Sequence, residues 1–305
     1  MDWKEKTVLI TGITGFLGGW LSKALLEKGA RIVGTVHSAD RTNLCFHKIE
    51  KQVELIKTDI TIPSEVKKVF ELTKPDYCFH LAAVPIPSIA QSDPAHALLV
   101  NIGGSLNVLR ACANEAVKTF LASTVSVYGN QPIVDENSPV LPNDTYGFSK
   151  AKMEEIALFL ANTKKFPMVI GRATNLYGPI DSNETVRLVP RNIRAALRKQ
   201  QIQNTQGLER DFLFIEDAIN AYLSLAENID TVSGRVFNVS YGNSFLGSDI
   251  ALAIEQLVQN RPVSLQPLSD HCIKHDALFQ ALQWKPTHSI VQGLEKTIAW
   301  YKKLL

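Results

Sequence analysis

The chain is poor in cysteine, lacks long apolar runs and carries almost no excess charge. Its four cysteines in 305 residues, Cys45, Cys78, Cys112 and Cys272, are widely spaced and form no CxxC pair. That spacing speaks against a disulfide scaffold and supplies no metal or dithiol motif. No apolar run approaches the roughly 18 residues that a membrane span needs. Lysine plus arginine number 32 against 30 aspartate plus glutamate, a formal charge of +2. The global field that draws nucleic acid or a membrane surface is therefore missing. The opening MDWKEKTVLITG lacks the basic segment and long apolar stretch of a signal peptide. A reduced, cytoplasmic, soluble protein with neither nucleic-acid nor membrane partner is the expectation. Against these absences, 45% of residues are hydrophobic and 20% charged. A chain of this length buries roughly three quarters of its unfolded surface. Disordered and collagen-like classes are excluded, and one large or two interlocked domains are expected.

The first 125 residues alternate short β-branched runs with longer amphipathic stretches. In order these are TVLIT, Trp20 to Lys28, ARIVGTV, VELIKTDI, Pro63 to Leu72, DYCFHLA, Leu98 to Glu115 and KTFLASTV. Such alternation predicts βαβ units on a parallel sheet. A helix is expected from Tyr146 to about Thr163, with Ala151, Met153, Ile156, Ala157 and Leu160 as its apolar stripe and Met153 and Phe159 as core candidates. Strands are expected at FPMVIGRA and RVFNVS, and loops around Gly178 to Asn183 and Asn204 to Leu208. Proline and glycine are spread rather than clustered, so no flexible hinge separates independent units.

The string TVLITGITGFLGG places Gly12, Gly15 and Gly18 directly after a buried strand and at the start of a helix. Gly12 permits the tight turn, Gly15 lets the backbone approach a diphosphate, and Gly18 lets the helix pack on the strand. The helix N-terminus then offers free N–H groups and a partial positive charge. Thr14, Phe16 and Leu17 complete the candidate cofactor turn. Three glycines alone could mark a plain tight turn; their place at the first βα junction points to a dinucleotide. The kind of dinucleotide is decided at the end of the second strand, which reads TVHSADR at 35–41. No acid stands directly at that strand end to hold a ribose 2′-hydroxyl, whereas His37, Ser38 and Arg41 could receive a 2′-phosphate. This reading leans to NADP, with NAD kept open by the nearby Asp40. Asp59, with Ile60 beside it, could meet the adenine edge or cap the following helix. The expected fold is α/β, a Rossmann-type doubly wound parallel sheet with a smaller interleaved α/β substrate-binding cap. The dinucleotide-binding part is expected at 1–172 plus about 212–240, the cap at about 173–211 and 241–305.

Tyr146 and Lys150, in TYGFSK, are four residues apart and share a helical face. A free tyrosine titrates near 10, so holding it near 7 takes about 4 kcal/mol. An ammonium at about 4 Å supplies about that much at an effective dielectric of about 20. A tyrosine and a lysine at this spacing are common on solvated helices. Their weight comes from the strand KTFLASTVSVYG, which brings Thr124 and Ser126 to the carboxyl edge of the sheet, where ligands bind.

These residues resemble the extended short-chain dehydrogenase/reductase family, specifically its NAD(P)-dependent nucleotide-sugar epimerases and dehydratases. The likeness runs through TGITGFLGG, Asp59, HLAA at 80–83, NIGGS at 101–105, STVSVYG at 123–129, Tyr146 to Lys150, RATNLYGP at 172–179, RDFLFIEDAINAY at 210–222 and the terminal ALQWKP. In general look it is similar to cytidine-diphosphoglucose 4,6-dehydratases. The resemblance implies that Tyr146 removes a sugar hydroxyl proton while hydride passes to the nicotinamide. Lys150 would lower the tyrosine and hold the nicotinamide ribose, and Thr124 would bond the same sugar oxygen. It implies that Leu81, Ala82, Ala83 and Asn101 line the cofactor, that Asn175 and Arg210 meet the substrate diphosphate, and that Ser126 and Arg191 also belong to the substrate site. Arginine suits that work because its planar fork binds phosphate bidentately; the other reading of Arg210 is a surface ion pair with Asp211. A homodimer through the Leu98 to Glu115 and Tyr146 to Thr163 helices is implied in the same way.

One departure decides the expected chemistry. In the dehydratases that the chain resembles, the residues after the threonine include the acid and base that eliminate water across C5 and C6. Here those positions hold Val125 and Ser126. Valine transfers no proton and an ordinary serine hydroxyl is a poor base. The expectation is C4 chemistry on a nucleoside-diphosphate hexose, by a 4-epimerase or a 4-keto-sugar reductase, without dehydration. The alternatives are a 4,6-dehydratase after all, a reductase of non-nucleotide ketones, or a cofactor-sensing protein without catalysis, against which the intact Thr124, Tyr146 and Lys150 speak. The shape of the cap loops around Asp181 to Arg191 and Asn204 to Leu208 would select base and sugar. Asp270, His271, Cys272 and His275 stand at helical spacing, but the resemblance gives no metal there and they are expected at the surface.

Overall fold

The main sheet reverses its winding between its central strands, and the candidate site lies at that reversal. The computed structural model describes residues 2–304 except Ser182, Glu184 and 204–206, so parts of both expected cap loops lie outside the described residues. The strands are β1 (Thr7–Thr11), β2 (Arg31–Val36), β3 (Glu54–Lys57), β4 (Tyr77–His80), β5 (Lys118–Thr124), β6 (Ile133–Val134), β7 (Met168–Ala173), β8 (Asn175–Tyr177), β9 (Glu209–Phe214), β10 (Val236–Val239), β11 (Ser244–Leu246) and β12 (Cys272–Ile273). Seven of them form a parallel sheet in the order β10-β7-β5-β4-β1-β2-β3. The chain moves outward from β1 through β2 to β3, returns to β4 and continues the other way. In such a sheet the carboxyl ends of the strands part at the reversal and leave a crevice for a ligand. Outside the main sheet, β9 pairs parallel with β8 and antiparallel with β11, and β12 pairs with β6.

Both faces of the main sheet are covered, which is why β1, β5 and β7 read as nearly continuous apolar runs. On one face the helices Phe16–Glu27 and Ile215–Glu227 bury Leu21, Leu25 and Tyr222 against Phe79 and Phe120. On the other, Pro63–Thr73, Ser105–Asn114 and Thr145–Lys164 bury Phe70, Leu109 and Met153 against Leu121 and Ile170. The expected βαβ order and the doubly wound parallel sheet are present. Among the described residues no helix is long and apolar enough to cross a membrane.

Three local expectations need correction. The stretch expected as one helix from Leu98 to Glu115 is broken: a helix at Pro94–Leu98 passes into wide π turns at Leu99–Gly104 before Ser105–Asn114. There Asn101 leaves the regular ladder and clamps its surroundings, accepting from Val84 N (2.7 Å) and donating to Ser149 Oγ (2.9 Å). Phe159 is 65% exposed rather than part of the core, whereas Met153 is buried. The Asp270 to His275 run is not helical, because Cys272 and Ile273 extend to pair with β6.

The helix that carries Tyr146 and Lys150 is fastened to the sheet by a buried ion pair. Arg172 on β7 donates from Nη2 to Glu154 Oε2 at 2.6 Å and from Nε to both carboxylate oxygens at 3.0 and 3.1 Å. Glu154 also accepts from Ser123 on β5. Arg172 Nη1 donates to Tyr128 Oη (2.8 Å), which donates to Asn238 Oδ1 on β10 (2.8 Å), whose backbone N–H donates to Glu136 (2.7 Å). Removing one member of such a pair leaves the other charge buried without a partner. Arg172→Met is therefore expected to destabilise the fold by about 3–5 kcal/mol, read as a fall in the urea midpoint. A midpoint shift of only a few tenths of a kcal/mol would show that the pair contributes little.

Candidate active site

A cleft of about 780 Å³ opens along the carboxyl edge of the sheet, with the first βα turn at one end and Arg210 among its lining residues. Gly12, Thr14, Gly15, Phe16, Leu17 and Gly18 all line it. Gly12 has φ +71°, and a Cβ there would stand 2.9 Å from Ala82 N and Cα. A Cβ at Gly18 would stand 2.5 Å from the Gly12 carbonyl oxygen. The turn thus passes where only glycine fits, and no side chain caps the Phe16–Glu27 helix. Its first N–H groups stay open to an anion. Thr11 Oγ1 accepts from Leu81 N (3.2 Å) and Ala82 N (3.1 Å) and lies 2.6 Å from His80 Nδ1, tying the end of β1 to the end of β4. Burial holds His80 down to about 3, so it bridges Thr11 and Ser105 as a neutral ring.

At the end of β2 the structure sorts the candidates. Asp40 and Asn43 line the cleft; His37, Ser38 and Arg41 do not. His37 is exposed and 3.8 Å from Asp59, and Arg41 donates to the carbonyls of Ser38 (2.7 Å) and Asp40 (3.0 Å). Asp40 accepts from Thr42 Oγ1 (2.6 Å) and Thr42 N (2.9 Å), which holds its carboxyl below the usual range. Asp59 accepts in the same manner from Thr61 and, like Ile60, does not reach the cleft wall. Leu81 and Ala83 line it, whereas Ala82 and Asn101 work behind it.

Thr124, Val125, Ser126, Tyr146 and Lys150 meet at the centre of the cleft. Thr124 ends β5 and accepts from Ser126 N at 3.2 Å while donating to Ser126 Oγ at 3.2 Å. Asp144 caps the Tyr146 helix by accepting from Gly147 N (2.6 Å), and a Cβ on Gly147 would stand 2.5 Å from Ser126 O. That glycine lets the helix start against the Val125–Tyr128 turn. Burial raises the Tyr146 phenol, while a hydrogen bond with Thr124 and the charge of Arg187 pull it down. Lys150 is buried and pushed down to about 8, and its ammonium donates to Ala122 O and lies 3.3 Å from Met153 Sδ. The cation acting on the phenol in this state is thus Arg187, a residue the sequence reading did not single out. Arg187 stands at the start of the Leu188–Leu197 helix, its guanidinium 3.4 Å from Asp181 and over the ring of Phe16.

At the far end Asn175, Arg191 and Arg210 line the cleft. Asn175 Nδ2 donates to Asp211 O (3.1 Å), and Arg210 donates to Glu209 O (2.8 Å). The surface ion pair of Arg210 with Asp211 is not formed. Asp211 is fully buried and accepts from Tyr241 N (2.9 Å) and Gly242 N (2.8 Å). Burial pushes its carboxyl up to about 7 against those two donors. His271 joins this wall, its Nδ1 2.8 Å from Ser244 Oγ. Its sequence signal was the Asp-His-Cys run, read only for metal spacing. Among the described residues no three His, Cys, Asp or Glu side chains gather to hold a metal ion.

The family model for the NAD dependent epimerase/dehydratase family matches residues 8–240. The chain belongs to that family. The likeness to the extended short-chain dehydrogenase/reductases therefore holds, and with it the Rossmann-type fold. The chain is 29% identical to mouse dTDP-D-glucose 4,6-dehydratase over 98% of its own length and 89% of the mouse protein. The structure of an epimerase from Methanothermobacter thermautotrophicus is similar at a TM-score of 0.87 and 25% identity, covering 99% of this chain and 93% of that one. A UDP-glucose 4-epimerase from Thermus thermophilus, solved with NAD, shares the fold at a TM-score of 0.85 and 22% identity over 98% of this chain and 100% of that one.

An NAD dependent epimerase/dehydratase needs its glycine turn free of side chains to receive a dinucleotide, and the turn described above fits one. Gly18→Val is expected to abolish binding of NADH, followed by its fluorescence, because the new side chain would meet the Gly12 carbonyl. Unchanged NADH binding would remove the turn from the cofactor site.

Proposed function

We propose that the protein oxidises and re-reduces C4 of a nucleoside-diphosphate hexose, as a 4-epimerase or a 4-keto-sugar reductase, without eliminating water. The observation that carries this reading is the pair Val125 and Ser126, directly after Thr124 in a cleft that keeps Thr124, Tyr146 and Lys150. When bound, the nicotinamide ring supplies the acceptor and donor of a hydride at C4. Tyr146 takes the C4 hydroxyl proton as the hydride leaves and gives a proton back on reduction. Thr124 orients the same oxygen. Lys150, charged at neutral pH with a value near 8, would bind the ribose, and Arg187 acts on the phenol.

The carboxylates that line the cleft among the described residues are Asp40, Asp144, Glu209 and Asp211. Asp144 is engaged as a helix cap and Asp211 by two backbone donors. Glu209 stands beside Arg210 and acts on His271, and Asp40 belongs to the end of β2. None takes the place next to Thr124 from which water would be eliminated. A 4,6-dehydratase is the second reading, favoured by the 29% identity to the mouse dehydratase.

Asn175, Arg191 and Arg210 would receive the substrate diphosphate, with the glycine turn receiving that of the cofactor. The cofactor is assigned as NAD, since an ionised Asp40 in the cleft wall accepts a ribose 2′-hydroxyl and repels a 2′-phosphate. A homodimer belongs to the same reading, supported by the exposed Leu99, Phe148 and Phe159 on and beside the Tyr146 helix.

Incubation with NAD and a panel of nucleotide hexoses is expected to yield products of unchanged mass or changed by one hydride and proton, by mass spectrometry, and Tyr146→Phe is expected to abolish turnover with little change in NADH affinity. A product lighter by one water would establish the dehydratase reading instead. The wild type is also expected to bind NADH more tightly than NADPH, with Asp40→Asn narrowing the gap by about 10-fold or more, the worth of a charged hydrogen bond. Tighter NADPH binding by the wild type would reverse the cofactor assignment.

A further inference from the structure

The cleft wall holds a phenol that none of the described residues satisfies. Tyr222, on the Ile215–Glu227 helix, is fully buried, lines the cleft, and its hydroxyl has no hydrogen-bond partner. An unmet buried donor is costly, and phenylalanine would fill the same space without that cost. The hydroxyl is therefore suited to a state in which a ligand fills the cleft.

The placement of the ring shows what that state is. It packs on Phe120 of β5, with centroids 4.3 Å apart and planes tilted by 37°. Its Cε1 lies 3.6 Å from where a Cβ on Gly171 of β7 would stand, so the missing side chain leaves room for it. Phe120, Ala122 and Thr124 alternate onto one face of β5, and Ala122 pairs with Gly171. A ring laid over Phe120 and Gly171 that reaches the cleft brings its hydroxyl to the edge below Thr124. The Tyr146 phenol is close enough that its negative charge would push the Tyr222 phenol further up.

Hydride transfer at C4 of a sugar held by Thr124 and Tyr146 requires the nicotinamide ring against that same edge. Its carboxamide is the hydrogen-bonding substituent of the ring, with an acceptor oxygen and a donor nitrogen. We propose that the Tyr222 hydroxyl donates to the carboxamide oxygen of the nicotinamide and so fixes the orientation of the ring. Tyr222 is then a cofactor-binding residue supplied from beneath the sheet, on a helix outside the glycine turn. This inference rests on the dinucleotide reading of the cleft.

Titration calorimetry of the wild type and Tyr222→Phe with NAD, thionicotinamide adenine dinucleotide and ADP-ribose tests it. The wild type is expected to bind all three, and NAD more tightly than the thio analogue, whose sulfur is the weaker acceptor. Tyr222→Phe is expected to lose about 10-fold in NAD affinity, about 1.4 kcal/mol, to level NAD with the thio analogue, and to leave ADP-ribose unchanged. The ligand-free variant should melt no lower than the wild type. An unchanged NAD affinity, or an equal loss for ADP-ribose, overturns the role of Tyr222 while leaving the cleft a dinucleotide site. Equal wild-type affinities for NAD and the thio analogue overturn it even if the variant does not fold. A wild type that binds neither NAD nor ADP-ribose refutes the cofactor reading itself.

Discussion

The buried pair of Glu154 and Arg172 is the constraint on which the candidate site depends. Glu154 lies one helical turn beyond Lys150 and two beyond Tyr146, so the place where its carboxylate is held sets where both side chains enter the cleft. Arg172 holds it through a two-pronged contact that a lysine could not reproduce. The same carboxylate accepts from Ser123, the residue before Thr124. One ion pair thus fixes the helix of Tyr146 against the strand of Thr124. Its charge also works on Lys150, raising an ammonium that burial alone would lower further. A site that depends on a buried charge pair has little freedom to drift. Small residues complete the fit, since Gly147 permits the helix to start against the turn after Thr124.

The parts of this arrangement that could be read in the sequence are those governed by local rules. A strand, a glycine turn and a helix in succession identify the phosphate end, and the spacing of Tyr146 and Lys150 identifies a shared helical face. Both depend on neighbours within a few residues. The end of β2 was legible only in part, because His37, Ser38, Asp40 and Arg41 compete for one place and loop geometry decides among them. Asp40 lines the cleft, held by Thr42, while Arg41 folds back on the carbonyls of its own loop. Asp59 followed neither pattern the sequence allowed: it stays off the cleft wall, accepts from Thr61 in its own turn, and leaves the N-cap of the next helix to Ile62. Phe159 shows the limit of periodicity: an apolar residue on an amphipathic helix need not face inward, and this one is exposed. Tyr222 shows the converse. Its position on an apolar stripe says only that it is buried, and the unmet hydroxyl becomes visible once Phe120 and Gly171 are placed beneath it.

Near neutrality of the whole chain and affinity for strongly anionic ligands are compatible for a physical reason. A surface field acts at a distance and weakens within about 8–10 Å at ordinary salt, whereas backbone N–H groups and single cations in a cleft act at contact. The open helix end at Gly15–Gly18 and the exposed Arg210 in the cleft wall would be devices of the second kind. Desolvation lowers Arg210 even so, with Asp144 and Glu209 opposing the shift. An anion entering the cleft would pair with a guanidinium whose hydrogen bond here goes to the carbonyl of Glu209.

On the proposed reading, two side chains redirect the reaction without altering the frame. Removing a proton and a hydride from C4 uses groups at the end of β5 and on the Tyr146 helix, both fixed by the Glu154 and Arg172 contact. Eliminating water further along the sugar needs an acid and a base one and two residues past Thr124, on the short turn Val125–Tyr128. That turn is supported by Gly147 and by the packing of Val127, and Tyr128 ties it to the buried polar network. Tyr128, not Val125 or Ser126, carries that tie, so the two cleft-lining positions can differ without breaking it. On that reading a keto-sugar formed at C4 would meet no partner for elimination there, and return of the hydride to C4 would be the outcome.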